Sequence, residues 1–139
     1  MIRTILLGYD GSESAKDALV FALDLAGKYG ARLHIVGVIR PPEFAEDVET
    51  EAMIESSERK ILGLLRAVKE QAGSAGIAAE THVLVGHPAE QLVRYAEANA
   101  IDHIVVGHRG HTVFERWLIG SVARQVIAYA HCAVTVVRS

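Results

Sequence analysis

The chain has 139 residues, half of them hydrophobic and 22% charged, with a formal net charge of −3. This composition suits one folded domain over residues 1–139 and excludes a disordered chain. A slightly acidic chain lacks the basic field that nucleic acid requires, so no nucleic-acid partner is expected. The apolar stretch at residues 5–7 is too short for a signal peptide or a membrane span. We therefore expect a cytoplasmic protein with no membrane partner.

The first third of the chain is predicted to form a strand, a helix and a second strand. The apolar run at residues 2–7 stops at a cluster of glycine, aspartate and serine, which is typical of a buried strand. Apolar residues at helical spacing follow, and they predict a helix that Ser12 or Ser14 can cap and Gly30 can end. A second apolar run, at residues 33–39, predicts the next strand.

An acidic stretch, residues 43–51, follows Pro41 and Pro42. We interpret it as a solvated connection. The alternative is a mobile lid beside a ligand, although its negative charge would repel phosphates. A long helix is predicted next, ending at the glycines of residues 73–76, and a third strand covers residues 81–85.

The remaining elements continue the alternation. Pro88 can begin a third helix, residues 104–106 form a fourth strand, a last helix opens after Gly120, and residues 134–137 form a fifth strand. The order βαβαβαβαβ predicts an α/β fold: a five-stranded parallel sheet with helices on both faces, Rossmann-like, in strand order 3-2-1-4-5. Such sheets bind ligands beyond the carboxyl ends of the strands where the order reverses, here between the loops after strands one and four.

The loop after strand four carries the spacing G-x2-G-x9-G-S, formed by Gly107, Gly110, Gly120 and Ser121. An anion that is bound by the protein backbone must accept hydrogen bonds from several N–H groups at once. Glycine permits that close approach, and a helix start supplies unpaired N–H groups and the positive end of the helix dipole. The spacing predicts a phosphate-binding loop. The alternative is that the glycines serve only tight turns and the helix start.

These motifs resemble the nucleotide-binding class of the universal stress protein family. Residues 5–14 resemble the family's first strand and its D-G-S-x-x-S turn, residues 86–88 the segment before its third helix, and residues 134–138 its last strand. The resemblance spans the whole chain. It implies an adenine nucleotide partner, with ATP and Mg²⁺ as the cofactors.

The resemblance also implies which residues bind the ATP. They are Asp10, Val38, Val106, Gly107, Gly110, Gly120, Ser121 and Val122. Asp10 would bind the ribose hydroxyls, and Val38 would meet the adenine through its backbone. Val106 and Gly107 would line the ribose and base. The phosphates would be held by Gly110, Gly120, Ser121 and Val122. Mg²⁺ would reach Asp10 or Ser121 through the nucleotide. On the residues alone, the alternative is that Asp10 caps the first helix region or forms an Asx turn.

Further phosphate contacts are expected from three loop side chains: His108, Arg109 and His111. Arg109 has the alternative of a solvated loop residue. Two departures from the family pattern lower the expected number of hydroxyl contacts, because Ala123 and His108 stand where members often have Ser or Thr. The histidines of the strand regions, His34, His82 and His103, are predicted to be structural.

No catalytic set is found in the sequence: there is no Walker A motif, G-x-G-x-x-G or G-x-S-x-G. We therefore expect a protein that acts in stress response or signalling through its nucleotide-bound state. The alternatives are a slow ATPase or autophosphorylating enzyme, and an interaction module without a nucleotide. The client protein is not indicated.

The fifth strand should lie at one edge of the sheet. It consists of Val134, Thr135, Val136 and Val137. An apolar edge invites pairing with another strand, and a two-fold homodimer through antiparallel pairing satisfies it. The family resemblance implies the same dimer.

Overall fold

The computed structural model describes residues 2–41, 47–109 and 119–138. Its strands are β1 (Thr4–Gly8), β2 (Arg32–Ile39), β3 (Ala79–Val85), β4 (His103–Gly107) and β5 (Ala133–Val137). Its helices are α1 (Glu13–Tyr29), α2 (Asp47–Ser74), α3 (Pro88–Ala98) and α4 (Ser121–Tyr129). Gly110, His111 and residues 43–46 of the acidic stretch lie outside the described residues.

The five strands form one parallel sheet in the order β3-β2-β1-β4-β5, which confirms the predicted fold. Strand β1 lies at the centre, with Ile5 opposite Leu33 of β2 on one side and His103 of β4 on the other. The order reverses between β1 and β4. The carboxyl ends of these two strands therefore flank the crevice in which such sheets bind ligands.

Helices cover both faces of the sheet because successive strand residues point to opposite sides. Ile5 and Leu7 of β1 pack in a core with α1 and α2, whereas Leu6 between them packs in a second core with α3 and α4. All three side chains are fully buried. Each such burial contributes about 2 kcal/mol to folding, so the alternation along β1 fixes both layers at once.

Helix α1 begins and ends as its sequence predicts. Ser12 caps it by accepting a hydrogen bond from the Ala15 N–H at 3.2 Å, and Gly30 ends it in the left-handed conformation with φ of 62°. Alanines such as Ala18 and Ala22 are fully buried on its inner face. Their small side chains let the helix axis approach the sheet closely.

The prediction of a solvated connection over residues 43–51 is wrong for its second half. Helix α2 begins at Asp47, so residues 47–51 belong to the helix and not to an irregular connection. Acidic side chains are favourable in the first turn of a helix, where they meet the positive end of its dipole. The same acidic composition that suggests a solvated loop therefore also suits the start of a helix.

Candidate functional site

A cavity of about 380 Å³ lies at the carboxyl edge of the sheet, within the size range of small-molecule sites. It is bounded by the ends of β1, β2 and β4 and by the starts of α3 and α4. The lining residues are Gly8, Tyr9, Asp10, Ala15, Val36, Val38, Arg40, Pro88, Leu92, Val106, Gly107, His108, Arg109, Ile119, Gly120, Ser121, Val122 and Ala123.

The floor of the cavity is apolar and tightly packed. A Cβ added at Gly8 would lie 2.9 Å from Leu92 Cδ1 and 3.3 Å from Val106 Cγ1, so β1 has no room for a side chain there. Val36 and Val38 of β2 continue this apolar surface. A floor of this kind suits the flat face of an aromatic ring and offers it no competing charge.

Gly107 is a glycine because α1 packs directly against the end of β4. A Cβ at this position would lie 2.5 Å from Ser14 Oγ and 2.7 Å from the Ser14 carbonyl carbon. Neither the helix backbone nor the strand can yield such space cheaply. The close approach that the sequence associates with a ligand is here required by the protein's own packing.

His108 connects this packing to the last helix and the last strand. Its ring is 2% exposed, and Nδ1 lies 3.3 Å from Ser14 Oγ. Its backbone N–H donates to the Val137 carbonyl at 2.9 Å, and its carbonyl accepts from the Gly120 N–H at 2.6 Å. Burial lowers the pKa of His108, an effect that the nearby charge of Arg109 reinforces. A neutral, buried ring therefore stands at the position expected to offer a phosphate contact.

The start of α4 lines the cavity and has no side-chain cap. Gly120 is the cap residue, with φ of −63° and ψ of 158°, and no side chain caps the helix or supplies an acid in its first turn. The first helical hydrogen bond is donated by the Arg124 N–H to the Gly120 carbonyl. The N–H groups of Ser121, Val122 and Ala123 therefore lack an intrahelical partner.

These three residues all line the cavity. Unpaired N–H groups at the positive end of a helix dipole form an anion site, and each hydrogen bond to a charged group contributes about 1.5–3 kcal/mol. The start of α4 thus provides the part of the cavity that can hold a phosphate.

Charged side chains stand around the cavity mouth. Asp10 is exposed, and its Oδ1 accepts a hydrogen bond from the Ser12 N–H at 2.9 Å, which is the Asx turn that its sequence allows. Arg40 and Arg109 line the same cavity. The described lining residues thus include two guanidinium groups and one carboxylate, so positive charge exceeds negative charge there. In the whole chain, acidic side chains outnumber basic ones.

The structure brings together nine of the residues predicted to contact the nucleotide, all of which line this cavity: Asp10, Val38, Val106, Gly107, His108, Arg109, Gly120, Ser121 and Val122. Gly110 and His111 lie outside the described residues. Sequence reasoning missed Arg40, although a cation directly after the second strand must lie at the carboxyl edge of a parallel sheet. It also missed Pro88 and Ile119.

The residues predicted to form a dimer strand lie in β5, at the outer edge of the sheet beside β4. Val134 through Val137 are partly buried in the described chain. In the described parts of the chain, no helix is both long and apolar enough to cross a bilayer.

A parallel sheet in this order, with a cavity at the reversal point between β1 and β4, defines an α/β domain of the doubly wound type. The sequence profile of the Universal stress protein family matches residues 1–138. The Universal stress protein MJ0531 of Methanocaldococcus jannaschii is 32% identical, over 99% of this chain and 83% of its own length. A universal stress protein of Thermus aquaticus is 35% identical, over 99% of this chain and all of its own length. The chain belongs to the universal stress protein family.

Solved structures agree with this assignment. The universal stress protein UspA from Lactobacillus plantarum shares the fold, with a TM-score of 0.91, 23% identity and coverage of 98% of this chain and 97% of its own. A universal stress protein in complex with cAMP has a TM-score of 0.77 and 27% identity, over 98% and 97% of the two chains. The protein from Archaeoglobus fulgidus in complex with dAMP has a TM-score of 0.70 and 26% identity, over 99% and 98%. Some structural relatives therefore bind adenine nucleotides.

Proposed function

We propose that this chain is a cytoplasmic, homodimeric universal stress protein that binds ATP in the cavity and acts in stress response or signalling through its nucleotide-bound state. The observation that carries the proposal is the uncapped start of α4, which opens on a cavity with an apolar floor. An adenine ring and a polyphosphate need these two surfaces side by side. The cAMP and dAMP complexes of structural relatives support the choice of base.

In this proposal the adenine lies on the valine floor, with Val38 offering its backbone and Val106 its side chain. Asp10, at the rim, binds the ribose hydroxyls with its carboxylate. The phosphates lie against the N–H groups of Ser121 and Val122. The positive charge of Arg109 and Arg40 at the mouth favours the triphosphate over a neutral nucleoside.

The glycine loop completes the proposed phosphate site. Gly107 and Gly120 bound the loop, and Gly110 and His111 are proposed to contact the phosphates although they lie outside the described residues. The side chain of His108 is directed to Ser14, so its proposed contribution comes through the backbone that it holds in place.

The residues present fit a nucleotide-bound Mg²⁺. Magnesium prefers oxygen ligands and is usually held by one or two carboxylates together with substrate phosphates. The Asp10 carboxylate and the Ser121 hydroxyl both line the cavity and would hold the ion. When bound, the ion would neutralise charge on the triphosphate.

The homodimer is proposed to form through the β5 edge. Strand β5 pairs with β4 on one side, and its other side is the outer edge of the sheet. Antiparallel pairing of two β5 strands about a two-fold axis would satisfy both edges. Light scattering on the purified chain should give twice the chain mass, and a monomer at working concentration would contradict this part of the proposal.

The central test is binding of MgATP to the native chain and to two matched variants. Ser121→Glu places a carboxylate at the first position of α4, where it should repel the phosphates. We expect the affinity for ATP to fall at least about 10-fold, the equivalent of one lost charge-assisted hydrogen bond. Gln125→Glu adds the same charge one turn further along the same helix, away from the cavity lining, and should leave the affinity nearly unchanged.

Isothermal titration with ATP, and identification of any co-purified nucleotide by ion-exchange chromatography, provide the measurements. Equal loss of affinity in both variants would indicate a general charge effect and contradict the proposed site. A native chain that binds no adenine nucleotide would favour the interaction module.

A further inference from the structure

Three side chains with metal-binding atoms meet on the sheet face that α3 covers, away from the cavity. His34 of β2 lies opposite Glu80 of β3 in the strand register, and His82 follows on the same face because side chains alternate along a strand. We call these three residues the histidine cluster. None of them lines the cavity. The sequence predicted structural histidines here, because it cannot show that the Glu80 carboxylate lies near both rings.

The ligand atoms of the histidine cluster are close to the spacing of a metal site. His34 Nε2 lies 3.5 Å from one carboxylate oxygen of Glu80, and His82 Nε2 lies 3.5 Å from the other. All three ligand atoms lie within 4.8 Å of one another. Two atoms bound to one tetrahedral zinc ion at about 2.1 Å are about 3.4 Å apart. Small rotations of the exposed side chains would bring the set to that geometry.

Tyr95 of α3 holds the buried histidine in the orientation that a metal needs. Its hydroxyl oxygen lies 2.6 Å from His34 Nδ1, and its ring lies edge-on to the His34 ring at a centroid distance of 5.6 Å. When the proton is on Nδ1, the imidazole donates it to Tyr95 and presents the Nε2 lone pair to the cluster. Ligating histidines commonly have such a partner on their second nitrogen.

The accessibility of the cluster also favours a cation. The side chains of Glu80 and His82 are 64% and 44% exposed, which gives an ion direct access from solvent. The positive charge of Arg32 lies near His34 and opposes the cation.

A second histidine–glutamate pair shows what the cluster adds. His131 Nδ1 lies 3.5 Å from a carboxylate oxygen of Glu97, the same distance as in the cluster, and both side chains are exposed. Over the described residues, the histidine cluster is the one group that brings three such ligands together. The pair at His131 is an ordinary surface contact and serves as a matched control.

We propose that the histidine cluster is a site for a divalent transition-metal ion, with Zn²⁺ as its ion. Two imidazole nitrogens and one carboxylate would bind it, and water would complete the tetrahedron, as is common for zinc held by two histidines and a glutamate. The site is independent of the nucleotide, so it goes beyond the proposed function.

The test is a zinc titration of the nucleotide-free full chain against a competing chelating indicator, repeated with His82→Ala and His131→Ala. We expect one Zn²⁺ per native chain, a loss of affinity of about 100-fold or more in His82→Ala, and no change in His131→Ala. Both histidines are exposed, so both variants should fold, which circular dichroism checks. Unchanged zinc affinity in His82→Ala, or equal losses in the two variants, would overturn the proposal.

A second variant separates metal binding from packing. Tyr95→Phe keeps the ring that contacts both histidines and removes only the hydroxyl. Tyr95 is a positioning residue. Its replacement by phenylalanine should lower the zinc affinity about 10-fold, since removing the hydrogen-bond partner of a metal-binding histidine typically has that effect. Co²⁺ in place of Zn²⁺ should give the intense visible absorption of a tetrahedral site in the native chain. Absence of that absorption, together with native zinc affinity in Tyr95→Phe, would contradict the assigned ligands.

Discussion

The starts of α1 and α4 share one backbone geometry and differ in what fills it. Ser12, the cap of α1, has φ of −66° and ψ of 163°, and Gly120, the cap of α4, has φ of −63° and ψ of 158°. In α1 the serine hydroxyl accepts the Ala15 N–H, and Glu13 adds a carboxylate to the first turn. In α4 the cap has no side chain and the first turn has no acid.

The difference shows how one local structure serves two purposes. A capped start is complete within the protein and contributes its stability to folding. A start without a side-chain cap forgoes about a few tenths of a kcal/mol, the amount by which serine exceeds glycine as a cap. The two starts differ in the side chains of the cap and the first turn and not in the backbone conformation of the cap.

The largest effect is expected where the start of α1 packs against Gly107, the last residue of β4. Gly107→Ala would place a Cβ 2.5 Å from Ser14 Oγ. It should lower the free energy of unfolding by about 3 kcal/mol, because neither helix α1 nor strand β4 can shift without disturbing its backbone. Gly63→Ala is the same change inside helix α2, where a Cβ would meet nothing within 4 Å. It should raise that free energy by about 0.5–1 kcal/mol. Urea unfolding measures both, and equal effects would contradict the packing at Gly107.

A smaller effect concerns His108, which contacts Ser14 at the start of α1 and holds Gly120 at the start of α4. Because its pKa is lowered in the folded state, the unfolded chain binds the proton more readily below about pH 6.5. The stability that His108 contributes is complete above that pH and is lost as the pH falls through the folded-state pKa.

Chemical unfolding at a series of pH values tests this, with a slope from one group of at most about 1.4 kcal/mol per pH unit. His108→Gln should flatten the profile below pH 6.5, while the same substitution at exposed His131 controls for the loss of an imidazole. A profile that His108→Gln leaves unchanged would contradict the buried, neutral ring.

The smallest effects come from exchanging the two caps. Ser12→Ala removes the cap of α1 and should lower the free energy of unfolding by about 1 kcal/mol without changing ATP affinity. Gly120→Ser adds a cap to α4 and should raise that free energy by a few tenths of a kcal/mol. It should also weaken ATP binding, because the new hydroxyl competes for a donor. Thermal unfolding and ATP titration check both, and tighter ATP binding in Gly120→Ser would refute the role of the open start.

Much of the fold follows from local patterns in the sequence. The strand and helix order, the cap at Ser12 and the stop at Gly30 depend on residues close together in the chain, so they could be predicted. The start of α2 could not, because acidic residues suit both a loop and a helix start, and tertiary packing of the helix decides between them. Strand β4 is also longer than its apolar run, since His103 joins the ladder and lies 2.6 Å from the Thr135 hydroxyl.

The candidate site could be predicted where a motif marks it. Gly120 and Ser121 carry a recognisable spacing, and the position of the loop after β4 follows from the strand order. Arg40 has no motif and belongs to the site only because β2 ends there. The histidine cluster depends on the register of β2 against β3, which places Glu80 opposite His34. No local pattern in the sequence contains that register.

The contact between Ser14 and His108 joins residues 94 positions apart. A chain synthesised from its amino end therefore completes α1 well before the other wall of the cavity exists. No fragment that stops short of β4 can assemble the cavity, however well its first strands fold. The entropy of closing so long a segment must be met before the contact forms, so the cavity exists only once the central part of the sheet is complete.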